Sequence, residues 1–205
     1  MNGDIFKQRL LAAADRMEAA KEELTQIDSL FGDGDHGITI GKIAKEIRRS
    51  LADFQEGDDL RGMLEEMGDA ILAVNGGSAG PLWGTFIGGL ALGLEESATE
   101  LGPSEVRKMF RAGLEEMYDI TTARVGDKTM MDTLIPAVEA MEAGEGDVSR
   151  LFFLAASAAE KGAKASEGFV SKFGRAKSYK EKTIGTPDAG AVSMKYFFMG
   201  LAEMK

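Results

Sequence analysis

The decisive stretch of this sequence reads Ile27-Asp28-Ser29-Leu30-Phe31-Gly32-Asp33-Gly34-Asp35-His36-Gly37. Its three carboxylates stand at relative positions 0, 5 and 7, and the last two alternate with glycines. Glycine tolerates unusual backbone angles, so the stretch can fold back and aim Asp28, Asp33 and Asp35 at one point. Converging carboxylates repel one another unless a cation neutralises them, and hard oxygen ligands suit Mg²⁺. The stretch therefore predicts a magnesium and phosphate site. The alternative is a solvated turn, which Asp and Gly also form.

Two other motif matches in this stretch fail. Residues 32–37 fit G-x-G-x-x-G, but a dinucleotide fingerprint must follow a strand, and the preceding pattern is helical. An EF-hand starting at Asp33 would put Ile38 where the glycine belongs and Ala44 where the bidentate glutamate belongs. Both interpretations are rejected.

Length and composition limit the possible functions. A chain of 205 residues without a Pro/Ser-rich linker predicts one domain over residues 1–205. The formal net charge of −10 and the pI near 4.8 disfavour nucleic acid and anionic membrane as partners. The lack of cysteine excludes disulfides, thiolate catalysis and zinc–thiolate clusters. There is no signal-peptide pattern, and the most apolar run, residues 81–94, falls short of the ~18 residues of a spanning helix. We therefore expect a cytoplasmic protein.

Helical periodicity dominates the chain. Apolar residues spaced alternately four and three apart predict a first helix from Phe6 to Ile27, so the acidic stretch begins where that helix ends. Further helices are predicted around residues 38–54, 60–71, 82–94 and 103–117, then one that opens at the turn of residues 124–132, and finally around residues 148–164 and 188–203. Pro136 should kink the sixth of these eight, because proline removes a backbone hydrogen bond. Since no strand or repeat is recognisable, we expect an all-α fold of about eight helices with the candidate functional stretches at helix junctions.

A glycine-rich loop, Asn75-Gly76-Gly77-Ser78-Ala79-Gly80-Pro81, precedes the apolar helix. Free backbone N–H groups and the positive end of the helix dipole favour anion binding there. The alternative is a joint that lets two helices pack closely. The loop also spells G-x-S-x-G, but a serine hydrolase needs a preceding strand and a histidine after the serine. The sole histidine, His36, lies upstream.

Two later polar stretches lack a helical pattern. Residues 124–132 form a polar turn that by itself resembles a helix cap more than a site, and the glycine spacing of a Walker A loop is missing. Residues 166–187 form a long loop that concentrates positive charge against the acidic background, which would complement a phosphate. The alternative is a solvated basic loop. Its cations are Lys172, Arg175, Lys177, Lys180 and Lys182.

Taken together, these motifs resemble the L subunit, the nucleotide-binding component, of dihydroxyacetone kinases. The similarity covers essentially the whole chain and follows the family's order: Asp28…Gly32-Asp33-Gly34-Asp35-His36-Gly37, Gly76-Gly77-Ser78-Ala79-Gly80-Pro81-Leu82-Trp83-Gly84, Gly126-Asp127-Lys128-Thr129-Met130-Met131-Asp132, and Gly174-Arg175-Ala176…Ser178-Tyr179…Ile184-Gly185…Asp188-Ala189-Gly190-Ala191. The resemblance implies an eight-helix antiparallel barrel that holds ADP or ATP at one end through two Mg²⁺ ions.

The resemblance also implies roles for individual residues. The metal ligands would be Asp28, Asp33 and Asp35, and Arg175 would contact a phosphate and act in catalysis. The remaining nucleotide contacts would be His36, Gly37, Ile38, Thr39, Gly77, Ser78, Ala79, Thr121, Met130, Asp188, Ala189 and Gly190. Three positions depart from the family pattern, where asparagine, glycine and proline are common: Thr39, Thr121 and Ala189.

The resemblance further implies a divided enzyme. The ketose would be held covalently by a histidine of a separate subunit, which makes a homodimer or hetero-oligomer the expected assembly. Either ATP exchanges as a substrate, or bound ADP is rephosphorylated in place by a phosphotransferase-system phosphocarrier protein. Two alternatives share the fold: a regulatory module that signals to a transcription factor through bound ADP and Mg²⁺, and the nucleotide domain of a fatty-acid kinase, which would normally continue into further domains.

Overall fold

The computed structural model describes residues 1–203, so the last two residues of the expected domain, Met204 and Lys205, lie outside the described residues. Within that range the chain forms α-helices and short 3₁₀ segments, and its β-structure is limited to one isolated bridge between Asn2 and Glu100. The helices are α1 (Gly3–Ala19), α2 (Lys21–Ser29), α3 (His36–Ser50), α4 (Leu60–Leu72), α5 (Ala79–Ala91), α6 (Pro103–Ile120), α7 (Met131–Ala143), α8 (Val148–Ala165) and α9 (Ala189–Ala202).

Eight of these helices close into a ring. Helix α1 packs on α3, and each helix from α3 onward packs on the next until α9 returns to α1. Helix α2 lies against α3 and α9 rather than forming a separate member of the ring. The expected all-α barrel is confirmed. No helix of the described chain has the length and apolarity needed to cross a bilayer.

The first helix differs from its prediction. The sequence pattern runs unbroken from Phe6 to Ile27, whereas the structure ends α1 at Ala19 and begins α2 at Lys21. The start of α3 packs tightly against this break: a Cβ on Gly37 would lie 2.1 Å from the carbonyl oxygen of Lys21. The break is therefore a tertiary feature, in which α2 changes course where α3 approaches it.

Aromatic side chains fill the centre of the ring. Trp83, Phe86, Phe110, Phe197 and Phe198 come from α5, α6 and α9, and neighbouring rings in this cluster have centroids 5.4 to 6.2 Å apart. Most of the pairs are edge-on or tilted, which is the favourable geometry for aromatic contacts. This core fixes the three helices whose ends carry the glycine-rich loop, the 124–132 turn and the last helix junction.

We call residues 166–187 the strap. The sequence predicts an irregular loop here, and the structure shows an ordered connection with two 3₁₀ segments, Ser166–Gly168 and Arg175–Thr183. The second segment is interrupted at Lys180, whose φ is 52°. Short 3₁₀ turns carry little apolar periodicity, which explains why the sequence pattern did not reveal them.

Candidate functional site

A cavity of about 500 Å³ opens at one end of the ring. Its walls come from the ends of α2 and α6, the starts of α3, α5, α7 and α9, the loop that joins α4 to α5, and the strap that joins α8 to α9. Consecutive helices therefore alternate in direction around the ring, and every connection on this side reaches the same cavity. The volume lies within the range typical of small-molecule sites.

The three aspartates of the acidic stretch meet at this cavity. Asp28, Asp33 and Asp35 each offer an oxygen, and these oxygens lie within 4.8 Å of one another. Gly32 permits the approach, because a Cβ there would lie 2.2 Å from Oδ1 of Asp28. Gly34 has a φ of +73°, which a glycine adopts without strain. Burial, followed by the charges of the other two aspartates, raises the pKa of Asp35. The cluster thus has the crowding of negative charge that a cation would relieve.

The strap crosses to this cluster. Nη1 of Arg175 lies 2.7 Å from Oδ2 of Asp33, and the ring of Tyr179 lies against that of Phe31 with centroids 5.1 Å apart. Arg175 is otherwise open to solvent, since 70% of its side chain is exposed. The arginine is therefore positioned at the mouth of the cavity by a single ion pair and by the path of the strap.

His36 stands behind the aspartates at the first position of α3. Its Nε2 lies 3.1 Å from Oγ of Ser193, whose hydroxyl donates to the carbonyl of Gly190. Burial lowers the pKa of His36 to about 4, despite the opposing charge of Asp28. The imidazole is therefore neutral near pH 7, and it links the acidic stretch to the start of α9.

The glycine-rich loop places the uncapped N-terminus of α5 at the cavity. Gly77 has a φ of +49°, and Ser78, the N-cap of α5, makes no side-chain cap hydrogen bond. Helices that begin at the far end of the ring are capped: Asn2, Asp59 and Asp147 accept backbone N–H groups, and Glu105 accepts from Gly102. The first N–H groups of α5 are consequently available to an anionic ligand.

The turn at residues 124–132 proves to be both a cap and a cavity wall. The carboxylate of Asp132 is buried and accepts from the backbone N–H groups of Gly126 and Thr129, each at 2.6 Å. Lys128 is also buried on the wall, and burial lowers its pKa. Sequence reasoning assigned only Met130 from this turn. The signal that it missed was the presence of both Lys128 and Asp132 in a stretch too polar for a core.

Asp188 caps α9, accepting from the N–H of Ala191 at 2.8 Å. Its pKa is raised to about 7, chiefly because burial disfavours the charged form and to a lesser extent because Asp132 is near. The two hydrogen bonds from backbone N–H groups only partly offset burial. This wall of the cavity therefore carries a carboxyl that titrates near neutral pH.

Most of the residues expected at the site line the cavity, and three do not. Gly37 is buried against Lys21, Ile38 is 54% exposed on the outside of α3, and Thr39 is buried against Gly76, whose Cβ would lie 2.0 Å from its Oγ1. None of the three forms part of the wall: Gly37 and Thr39 pack against neighbouring segments, and Ile38 faces solvent. The residues that do line it are Asp28, Asp33, Asp35, His36, Gly77, Ser78, Ala79, Thr121, Met130, Arg175, Asp188, Ala189 and Gly190.

Known proteins are similar to this chain in both sequence and architecture. The DAK2 domain family matches residues 30–203. The chain is 36% identical over 191 residues to the D-erythrulose kinase of Mycolicibacterium smegmatis, a match that covers 89% of this chain and 32% of that protein. It is 31% identical over 196 residues to the ADP-binding subunit DhaL of the PEP-dependent dihydroxyacetone kinase of Escherichia coli, covering 94% of this chain and 92% of that subunit. The chain thus spans about a third of the single-chain kinase and nearly all of the separate subunit.

Solved structures agree with these matches. The native dihydroxyacetone kinase of C. freundii has a TM-score of 0.78 to this structure and 26% identity, over 100% of this chain and 35% of that chain. Its complex with AMP-PNP and Mg²⁺ has a TM-score of 0.76 and 25% identity, over 100% and 34%. By its sequence and by the ring of helices around one terminal cavity, this chain belongs to the DAK2 domain family, as do the ADP-binding DhaL subunits.

Proposed function

We propose that residues 1–205 form a single nucleotide-binding domain that acts as the phosphoryl-donor subunit of a dihydroxyacetone or related ketose kinase. The observation that carries this proposal is the convergence of three aspartates and one arginine at the mouth of a cavity of nucleotide size. The family relatives named above are kinases or kinase subunits, which supports the same reaction class.

The acidic cluster fits Mg²⁺ in its chemistry. Asp28, Asp33 and Asp35 supply only carboxylate oxygens. The pKa of Asp35 is raised first by burial and then by the charges of the other two aspartates, and a divalent cation would relieve that second effect. These three residues would hold the metal, and the resemblance implies two ions. When bound, Mg²⁺ would neutralise charge on the phosphates during transfer.

The cavity walls suit the other parts of ADP or ATP. One wall is apolar enough for a base, being lined by Leu82, Trp83, Met117, Ile120 and Met130. The uncapped start of α5 would accept the phosphates through backbone N–H groups, and Arg175 would contact the transferring phosphoryl group. Arg175 thus takes the catalytic role, because a fixed cation acts most strongly where charge develops in the transition state.

The surface around the cavity suits a partner that delivers the ketose. Large apolar side chains at the helix ends and connections on this side are exposed: Leu30, Ile38, Leu72, Ile120, Val125, Tyr179 and Ile184. Such a rim loses water favourably when a second protein covers it. We propose that the ketose-binding subunit docks here, and that in a phosphocarrier-dependent enzyme the carrier uses the same face in turn.

The experiment that tests this proposal is Mg²⁺-dependent stabilisation by ADP. At a hundredfold excess over Kd, ADP should raise the free energy of unfolding of the wild-type chain by about 2.7 kcal/mol. Asp33→Asn should abolish that gain and leave the helical circular dichroism intact, whereas Asp53→Asn, at an exposed position outside the cavity, should keep it. Equal stabilisation of Asp33→Asn and wild type would refute the metal role of the cluster.

The nucleotide that co-purifies with the chain distinguishes ATP as an exchanging substrate from ADP rephosphorylated in place. Heat-released nucleotide from the purified chain should be identified, and its exchange with added labelled ATP should be followed. Retained ADP that does not exchange would assign the phosphocarrier route, and rapid exchange would assign ATP as a substrate.

A further inference from the structure

Lys128 is a buried lysine to which the proposed reaction gives no part. Its side chain is almost fully enclosed at 4% exposure, and its backbone has a φ of 61°, a conformation that non-glycine residues rarely adopt. An ammonium group removed from water requires hydrogen-bond acceptors to offset its lost hydration. The identity of those acceptors indicates what Lys128 does.

Both acceptors belong to the ends of the strap. Nζ donates to the carbonyl of Ser166 at 2.6 Å and to the carbonyl of Thr186 at 2.5 Å, so one ammonium joins the first turn of the strap to its last. Two further hydrogen bonds join the same two regions. The N–H of Gly185 donates to the carbonyl of Glu167, and the N–H of Asp188 donates to Oγ of Ser166. The start and the end of the strap therefore meet around Lys128.

The neighbour of Lys128 holds the strap at a second place. Asp127 accepts from Nζ of Lys172 at 2.6 Å and, through its carbonyl, from the backbone N–H of Lys172 at 3.1 Å. Three residues further along stands Arg175, which reaches Asp33 by the single ion pair described above. The position of the arginine therefore depends on how firmly the turn at residues 127–128 holds the strap.

We propose that Lys128 is a positioning residue whose ammonium clasps the two ends of the strap and so holds Arg175 over the acidic cluster. A segment of this length with exposed charged side chains would otherwise sample many conformations, and a dispersed arginine would meet the phosphate only part of the time. The structural part of this proposal, the clasp, depends only on the hydrogen bonds that Lys128 makes. Its consequence for catalysis rests on the proposed function.

The clasp is tested first without nucleotide or partner. Lys128→Met keeps the apolar stem and removes the ammonium, and Lys161→Met, at an exposed position on α8, is the matched control. Losing the charged hydrogen bonds should speed amide hydrogen exchange of the strap about tenfold, for example at Ser171 and Gly185. The control should exchange like wild type. Unchanged exchange in Lys128→Met would overturn the clasp.

The catalytic consequence is tested with the ketose-binding subunit present. At saturating Mg²⁺ and ATP, Lys128→Met should slow phosphoryl transfer about tenfold while the Kd for ADP and Mg²⁺ changes by less than about threefold. In an Arg175→Ala background it should cause no further loss, because the lysine acts through the arginine. A Kd increase as large as the rate loss would show Lys128 to be a direct phosphate ligand, and an additive loss would show it to act elsewhere. Either result would overturn the positioning role.

A second variant tests the proposal if Lys128→Met does not fold. Lys172→Ala cuts the other side-chain tie between the strap and the same turn, and it should also speed exchange of the strap and slow transfer, both by less than Lys128→Met. Normal exchange and normal transfer in this variant would contradict the dependence of Arg175 on the turn. If the wild type transfers no phosphoryl group either from ATP or after rephosphorylation by a phosphocarrier, the proposed function fails, whereas the exchange experiment still decides the clasp.

Discussion

The carboxylate of Asp33 is shared between the acidic stretch and the strap. It belongs to the cluster that would hold Mg²⁺, and it also forms the ion pair with Arg175. A metal ion and a guanidinium would compete for the same negative charge, so the arginine should lower the affinity of the cluster for a metal in the absence of nucleotide. Once phosphates are present, the arginine has an alternative anion to contact.

This competition makes Arg175→Ala informative in two ways. Without nucleotide, the variant should bind Mg²⁺ about two- to fivefold more tightly than wild type, since an exposed ion pair contributes at most about 1 kcal/mol. Titration calorimetry with Mg²⁺ alone measures this. Weaker or unchanged Mg²⁺ binding would show that the ion pair does not oppose the metal.

In the complete kinase assay the same Arg175→Ala variant should lose about 100-fold or more in turnover, with a smaller loss in ADP affinity. Arg175→Lys should recover only part of this, because lysine keeps the charge but lacks the planar fork that contacts two oxygens. Wild-type turnover in Arg175→Ala would show that the arginine has no catalytic role.

Asp188 predicts a dependence of stability on pH. Its folded pKa of about 7 lies above the ordinary value of 3.8, so between these pH values the unfolded chain releases a proton that the folded protein keeps. The folded state consequently loses stability as pH rises through this window and levels off above it. Asp188→Asn removes the titration, and its amide oxygen can still accept from the N–H of Ala191.

Urea unfolding in the absence of nucleotide and metal measures this effect. The stability of Asp188→Asn relative to wild type should be about 2 kcal/mol more favourable at pH 8 than at pH 5. Asp53→Asn, at an exposed position, should show no such difference. A relative stability that does not change with pH would contradict the raised pKa.

At the scale of elements, the pair α4 and α5 explains the glycines of the apolar helix. A Cβ on Gly68 would lie 2.5 Å from the Cα of Gly88, and one on Gly84 would lie 2.6 Å from the backbone nitrogen of Leu72. The two helices therefore touch backbone to backbone. The close joint that the sequence left as an alternative to an anion site is present along the helices, while the loop before α5 faces the cavity.

These contacts predict opposite outcomes for two neighbouring glycines. Gly68→Ala should destabilise the fold by about 1–3 kcal/mol, because backbone atoms cannot yield to the new methyl group. Gly88→Ala is the matched control: its Cβ would meet only the Cα of Gly68 at 3.7 Å, an ordinary contact, and alanine favours a helix by up to about 1 kcal/mol. Chemical denaturation should separate the two. Equal stability of both variants would contradict the packing.

At the scale of the whole molecule, the proposed donor site lies in a chain that offers no histidine free to anchor a small ketose covalently. His36 is its sole histidine, and the imidazole is held against Ser193 behind the aspartates. A triose has too few atoms to bind tightly by contacts alone. On the proposed function, the acceptor would therefore come from a partner that covers the apolar rim and excludes water from the phosphates.

The purified chain, given ATP, Mg²⁺ and dihydroxyacetone, should accordingly form no ketose phosphate in a coupled assay. Adding a ketose-binding subunit should start turnover, and a charge on the rim, such as Leu30→Asp, should weaken that activation without changing Mg²⁺-dependent ADP binding. Sustained turnover by the chain alone would refute the divided site.

The sequence by itself determined the helices and the nature of the ligand groups. Apolar periodicity is a local signal, so it located all the ring helices, and the spacing of Asp28, Asp33 and Asp35 with their glycines indicated a compact cluster of oxygen ligands. The caps at Asp59 and Asp188 are local features of the same kind, because a cap acts within a few residues.

Only the tertiary structure decided how distant segments meet. The contact between Arg175 and Asp33, the enclosure of Lys128 by both ends of the strap, and the break at Ala20 beside α3 join residues that no local pattern connects. It also moved Gly37, Ile38 and Thr39 off the cavity wall, since adjacent residues on a helix face different directions. The physical reason is general: periodicity reports which face of an element is buried, while the partner of each polar group depends on the closed ring.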